Sequence, residues 1–132
     1  MSGSSNNDMR TALKKVRGLG SSHEGTDHFW RQRLTGIALI PLTLFFVGFI
    51  ICRSGASYEE TIAALRNPFV TLVLAVMLIA GLVHMRLGMQ AVIEDYVHGE
   101  GAKLAALMLS TFFTIAVGAV ALFALLKISF GA

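Results

Sequence analysis

The sequence predicts an all-α membrane protein with three transmembrane helices, on the basis of its composition and of where its charges fall. Apolar residues make up 55% of the 132 residues and charged residues only 14%, against roughly 25% charged residues in a soluble domain. Lys, Arg, Asp and Glu are absent from residues 34–52, 67–85 and 104–126. Because a helix needs about 20 apolar residues to cross a bilayer core, we expect spans at about 34–52, 68–92 and 104–126.

The same composition excludes several classes of protein. A disordered chain combines low hydrophobicity with high charge, and the single cysteine, Cys52, cannot form an intrachain disulfide. With a net charge of +3 and no basic amphipathic element, the chain is not expected to bind nucleic acid. The connections between the spans are too short for a soluble catalytic domain, so residues 28–132 are predicted to form one membrane unit.

Residues 1–27 form a polar tail without the apolar segment of a secretory signal. The tail contains Asp8, Glu24 and Asp27, whereas mitochondrial transit peptides are poor in acidic residues. We therefore expect that the tail is retained and that the protein lies in the inner membrane of a bacterium. The alternative location is the mitochondrial inner membrane.

Lys and Arg residues flank the predicted spans unevenly, which predicts the orientation. Eight of them lie in the N-terminal flank and the second connection: Arg10, Lys14, Lys15, Arg17, Arg31, Arg33, Arg86 and Lys103. Three lie on the opposite side: Arg53, Arg66 and Lys127. Since cytoplasmic loops carry the positive excess, the N-terminus and the second connection are predicted to be cytoplasmic.

Two local patterns predict structure in and after the first span. Pro41 removes a backbone donor inside the span and is expected to bend that helix. Ser57 and Glu60 have the spacing of a capping box, and Asn67-Pro68 has the pattern of an N-cap followed by the first helical residue. We expect a surface loop with one helical turn between the first two spans.

His84 is an ionisable residue inside the second charge-free segment. It shares one helix face with Gly81, Gly88 and Ala91, at spacings of i, i+3, i+7 and i+10. Such a stripe lets a flat ring lie against the helix, and neutral imidazole is a ligand of haem iron. Small residues at this spacing also let helices approach closely, and intramembrane histidines serve in proton relays. All three interpretations remain open from this pattern.

A second polar group follows at the end of the same span, in Glu94-Asp95-Tyr96-Val97-His98. A tyrosine hydroxyl with a neighbouring carboxylate suits an amphiphilic substrate at the membrane surface, such as a quinone. A solvated helix end with an interfacial tyrosine explains the same residues. Arg33 and its neighbour Arg31 are either interfacial anchors or bidentate ligands for carboxylates. Arg86 points away from the face of His84 and is interpreted as an interfacial charge.

The segment from His84 to Val97 has the pattern H-x3-G-x6-D-Y-V. This pattern resembles the small hydrophobic membrane-anchor subunit of succinate dehydrogenase (succinate:quinone oxidoreductase), often called the D-type anchor, in its alphaproteobacterial and mitochondrial branch. The segment His28-Phe29-Trp30-Arg31-Gln32-Arg33-Leu34-Thr35 resembles the start of that family's first helix, with an aromatic residue and then Arg-x-Thr.

The resemblance implies specific roles for individual residues. His84 corresponds to an axial ligand of a b-type haem, whose second ligand is a histidine of a companion cytochrome b anchor. Tyr96 corresponds to a hydrogen-bond donor to a quinone, Asp95 lies beside it, and Arg33 corresponds to a residue near the haem propionates. His98 matches a less general position of the family.

The implied function is anchoring the flavoprotein and iron–sulfur subunits to the membrane and passing electrons from succinate to quinone, with ubiquinone favoured over menaquinone. The three spans would then pack with the companion anchor into a helical bundle, in contact with membrane lipid, and no flavin chemistry would occur in this chain. Two other hypotheses are a proton-conducting subunit with His84 and Asp95 as relay groups, about 18 Å of helix apart, and a haem-free scaffold.

Overall fold

The computed structural model describes residue 13 and residues 24–131, and within residues 24–131 the chain forms four helices and no strand. They are α1 (Glu24–Arg53), α2 (Tyr58–Leu65), α3 (Pro68–Tyr96) and α4 (Glu100–Phe130). α1, α3 and α4 are each long and apolar enough to cross a membrane, which confirms the predicted all-α, three-span architecture. Most of the predicted tail lies outside the described residues, and residues 24–27 already belong to α1.

α3 is the central helix, because α1 and α4 both pack along it while making at most marginal contact with each other over residues 24–131. At the end of the bundle that carries α2, the Arg66 Nε donates a hydrogen bond to the Ile128 carbonyl at 3.3 Å. At the opposite end, the Lys103 Nζ donates to the Glu94 carbonyl at 3.1 Å, which ties the start of α4 to the end of α3. These ends are called the α2 end and the Tyr96 end below.

The predicted helix caps are present in the first connection. The Ser57 Oγ accepts from the Glu60 N–H at 3.2 Å, and the Glu60 Oε2 accepts from the Ser57 N–H at 2.9 Å. The Asn67 Oδ1 accepts from the Phe69 N–H at 3.0 Å, with Pro68 as the first residue of α3. The prediction of a single helical turn was too short. The capping box starts a helix of eight residues. α1 continues through its internal proline, and the bend expected there stays a prediction.

The helices enclose few buried residues. In the described part of the chain, the buried side chains are Thr71, Ile93 and Thr114. The Thr71 hydroxyl donates to the Leu65 carbonyl at 2.7 Å and lies 3.0 Å from the Ser129 Oγ, so it joins three helix ends at the α2 end. Large apolar side chains of every span are exposed in this chain, which leaves them for contact with lipid or with other membrane subunits.

Candidate functional site

The glycine stripe of α3 packs against α1 of the same chain. A Cβ on Gly88 would lie 3.4 Å from the Gln32 Nε2, and a Cβ on Gly81 would lie 3.9 Å from the Leu39 Cδ2. The two helices therefore run antiparallel with small residues between them, which is how membrane helices approach closely. The helix-packing interpretation is thus supported for these two glycines, whereas Ala91, the last member of the predicted stripe, is exposed.

His84 lies in this interface, half-buried, with its ring against α1. The His84 Nδ1 is 3.2 Å from the Gln32 carbonyl oxygen and 3.2 Å from the Thr35 Oγ1. A Cβ on Gly36 would lie 3.2 Å from the His84 Cε1, which is closer than an ordinary van der Waals contact. A glycine at position 36 therefore makes the space in which the imidazole lies.

The proton of the Thr35 hydroxyl decides the tautomer of His84. The Thr35 Oγ1 lies 2.7 Å from the Arg31 carbonyl and 3.1 Å from the Gln32 carbonyl, and a carbonyl only accepts. The single hydroxyl proton is therefore directed to the backbone of α1, and the contact with His84 must be donated by the Nδ1–H. The Nε2 of the neutral ring then carries a lone pair, and within residues 24–131 it has no hydrogen-bond partner.

Arg33 and Arg86 do not contact the imidazole. The guanidinium carbon of Arg33 lies 4.2 Å above the ring centroid of Phe29, a cation–π geometry on an exposed face of α1. Arg33 nevertheless lies on the same turn of α1 as the residues that bond His84. Arg86 is exposed and lines with Arg31 a cavity of about 360 Å³ towards the Tyr96 end.

His28 lines the same cavity, together with Asp27, Leu87 and Gln90. Its Nε2 is buried and has no hydrogen-bond partner among the residues that the structure describes. The cavity therefore combines two guanidinium groups, one imidazole and the Asp27 carboxylate, from the start of α1 and the second half of α3.

Tyr96 and Asp95 lie at the end of α3, well apart from His84. Tyr96 is the last residue of α3 and its side chain is 77% exposed. Asp95 and His98 are also exposed. The twelve residues from His84 to Tyr96 correspond to about 18 Å of helix, so the structure separates the predicted site residues into an internal group and a surface group.

The contacts of His84 with α1 were missed by sequence reasoning. Gln32, Thr35 and Gly36 are close to it in space but about fifty positions away in the sequence. Gln32, Gly36 and Leu39 share the spacing i, i+4, i+7 on α1, and this face was the available signal. It predicts a contact surface, without indicating which of the other helices covers it.

Comparison with known proteins assigns the family. The model of the family described as the succinate dehydrogenase/fumarate reductase transmembrane subunit matches residues 7–125. The chain belongs to this family. It is 38% identical over 122 residues to the succinate dehydrogenase hydrophobic membrane anchor subunit of Paracoccus denitrificans, covering 92% of this chain and 94% of the relative. The prediction of a succinate dehydrogenase membrane anchor subunit is confirmed.

More distant relatives of this transmembrane subunit family carry similar names. The hydrophobic membrane anchor subunit of succinate dehydrogenase from Rickettsia bellii is 33% identical over 90 residues, covering 68% of this chain and 72% of the relative. The membrane anchor subunit from Reclinomonas americana is 30% identical over 94 residues, covering 64% of this chain and 73% of the relative.

Proposed function

We propose that this anchor subunit helps to form a b-type haem site through His84 and a quinone-reduction site through Tyr96 and Asp95, in the path of electrons from succinate to quinone. The observation that carries the proposal is the hydrogen-bonded state of His84. The Nδ1–H donates to α1 at 3.2 Å, which leaves the Nε2 lone pair free. Histidines that bind metals are typically oriented by such a bond from the other ring nitrogen to a carbonyl.

The surroundings of His84 fit a haem in other respects. The ring is half-buried in a membrane span and not paired with a carboxylate in residues 24–131. Arg33 lies at the level of His84 along α1 and carries a charge suited to a propionate. Bound haem would supply a one-electron carrier, and it would be held by His84 of this chain together with the companion cytochrome b anchor.

The exposed position of Tyr96 favours a quinone site that is shared with other subunits. Its hydroxyl lies at the end of α3, where the polar head of a quinone lies in a bilayer, and 77% of the side chain is exposed in this chain. Asp95 precedes it and is suited to hold a proton or a water near that hydroxyl. Enclosure of the quinone head requires surfaces from the iron–sulfur subunit and the companion anchor.

The proposed orientation places the Tyr96 end at the cytoplasmic face of a bacterial inner membrane. This end carries Arg31, Arg86 and Lys103, and the iron–sulfur and flavoprotein subunits would bind there. The chain itself contributes no flavin chemistry in this proposal. It holds the partner subunits at the membrane, positions the quinone and supplies one haem ligand.

The test is the absorption spectrum of the purified four-subunit complex. His84→Ala is expected to abolish the low-spin b-type spectrum or to convert it to a high-spin form. His98→Ala is the matched control, because this histidine is exposed in the second connection, and it is expected to keep the spectrum. A wild-type spectrum in His84→Ala would exclude the ligand assignment, and the absence of any b-type spectrum in the wild-type complex would favour a haem-free scaffold.

A further inference from the structure

We propose that Thr35 is a positioning residue for His84: its hydroxyl accepts from the Nδ1–H beside the Gln32 carbonyl, favours the tautomer with a free Nε2, and thereby lowers the reduction potential of the haem. This inference rests on the proposed function, because it takes His84 as an iron ligand. Thr35 itself touches neither haem nor quinone, and acts through the imidazole.

The hydroxyl of Thr35 can only accept from His84, because its own proton is held by the backbone. The 2.7 Å distance from the Thr35 Oγ1 to the Arg31 carbonyl is that of a well-formed hydroxyl–carbonyl bond, and the Gln32 carbonyl at 3.1 Å is a second acceptor on the same helix. The orientation of the hydroxyl is therefore set by α1 before the ring of His84 is considered.

The two acceptors on α1 also fix the plane of the ring. The Nδ1–H is shared between the Gln32 carbonyl and the Thr35 Oγ1, each at 3.2 Å. Gly36 leaves room for the neighbouring ring carbon, because a Cβ at this position would lie only 3.2 Å from the His84 Cε1. A ring that is bonded through its Nδ1 and lies against the glycine of α1 has little freedom to rotate, so this chain sets the direction of the Nε2 lone pair.

Donation from the Nδ1–H makes the imidazole a stronger electron donor at the Nε2. A bond from the distal nitrogen of a ligating histidine raises its basicity. A more basic ligand favours ferric over ferrous iron and lowers the potential. Removal of one acceptor is expected to shift the ratio of ferrous to ferric haem about threefold towards the ferrous form, because the Gln32 carbonyl remains. At 59 mV per tenfold for a one-electron couple, this corresponds to a rise of about 28 mV.

The experiment measures the haem midpoint potential and the low-spin electron paramagnetic resonance spectrum of the assembled complex. Thr35→Val removes the hydroxyl with little change in volume, and is expected to raise the potential by about 28 mV. Thr35→Ser restores an acceptor and is expected to return the potential to the wild-type value. Thr43→Val is the matched control, since Thr43 is exposed on the same helix and away from His84, and it is expected to leave the potential unchanged.

The outcomes separate this inference from the function on which it rests. A wild-type potential in Thr35→Val, with loss of the low-spin spectrum in His84→Ala, would overturn the role of Thr35 and keep the ligand. A wild-type spectrum in His84→Ala would overturn both the role of Thr35 and the assignment of His84 as a ligand. If Thr35→Val assembles poorly, Thr35→Ala replaces it, because both variants lack the acceptor. Equal potentials in the alanine, serine and wild-type complexes would also overturn the inference.

Discussion

Replacing Gly36 by alanine is expected to disturb His84 specifically, and the size of the effect follows from the contacts of α1. The new Cβ would lie 3.2 Å from the His84 Cε1 and 3.6 Å from the His84 Nδ1. Carbon atoms in ordinary contact are about 3.5–4.0 Å apart, so the ring must retreat by a few tenths of an ångström. The two bonds at the Nδ1 are already 3.2 Å long, and this movement brings them to the limit of a hydrogen bond.

The free-energy change combines two opposing terms. A lost hydrogen bond costs about 0.5–1.5 kcal/mol, while alanine in place of glycine inside a helix gains about 0.8–1.0 kcal/mol. Gly36→Ala should therefore be close to neutral. Gly48→Ala is the matched control on the same helix, because a Cβ there has nothing within 4 Å in this chain. Gly48→Ala should show only the gain in helix stability. The free energies of the two variants should therefore differ by the lost hydrogen bond, about 0.5–1.5 kcal/mol.

The assay is the half-life of thermal inactivation of the purified complex, recorded together with the haem spectrum. A difference of 0.5–1.5 kcal/mol corresponds to about two- to thirteenfold in rate, if it is expressed in the barrier to unfolding. Gly48→Ala should outlast Gly36→Ala by this factor, and only Gly36→Ala should alter the low-spin haem signal. Equal half-lives and identical spectra in the two variants would show that the imidazole does not occupy the space that a side chain at position 36 would need.

Three further predictions follow from other parts of the chain. Tyr96→Phe should lower quinone reductase activity about two- to thirtyfold or more, while succinate oxidation with an artificial acceptor and the haem spectrum stay at wild-type levels; equal quinone turnover would leave Tyr96 an interfacial anchor. Reporter fusions after Gly101 should be cytoplasmic and those after Ala132 periplasmic, and the opposite result would reverse the orientation. Thr71→Val should destabilise the complex by about 1–3 kcal/mol, measured as faster thermal inactivation. Ser129→Ala should cost less, because the Thr71 hydroxyl keeps its bond to the Leu65 carbonyl. An unchanged half-life in Thr71→Val would contradict the role of this hydroxyl.

Features set by local physical chemistry were predictable from the sequence. The three spans follow from the absence of charge over a bilayer thickness, and each predicted span lies within one helix. The caps at Ser57 and Asn67 follow from hydrogen bonds between residues two or three positions apart. The length of α2 was underestimated: the capping box starts an eight-residue helix, Tyr58–Leu65.

Features that depend on which helices meet were not predictable in the same way. The stripe with Gly81, His84 and Gly88 was equally compatible with α1, α4 or another subunit, since small residues specify a close approach but not a partner. The bonds from His84 to Gln32 and Thr35 join residues 52 and 49 positions apart. No periodicity within a single span reports such a pair, and only the antiparallel register of α1 and α3 brings these residues together.

The two predicted sites differ in how far this chain completes them. At His84 the hydrogen-bond acceptors, the glycine that makes space for the ring and the direction of the free nitrogen all come from α1 and α3. At Tyr96 the side chain is 77% exposed, so nearly all of its final contacts must come from outside the chain. A substitution that weakens assembly without touching the α1–α3 interface should therefore lower the proposed quinone reduction while it leaves the hydrogen bonds of His84 to α1 unchanged. The orientation of the His84 ring is set by the packing of α1 against α3, whereas the final contacts of Tyr96 depend on what covers the end of α3.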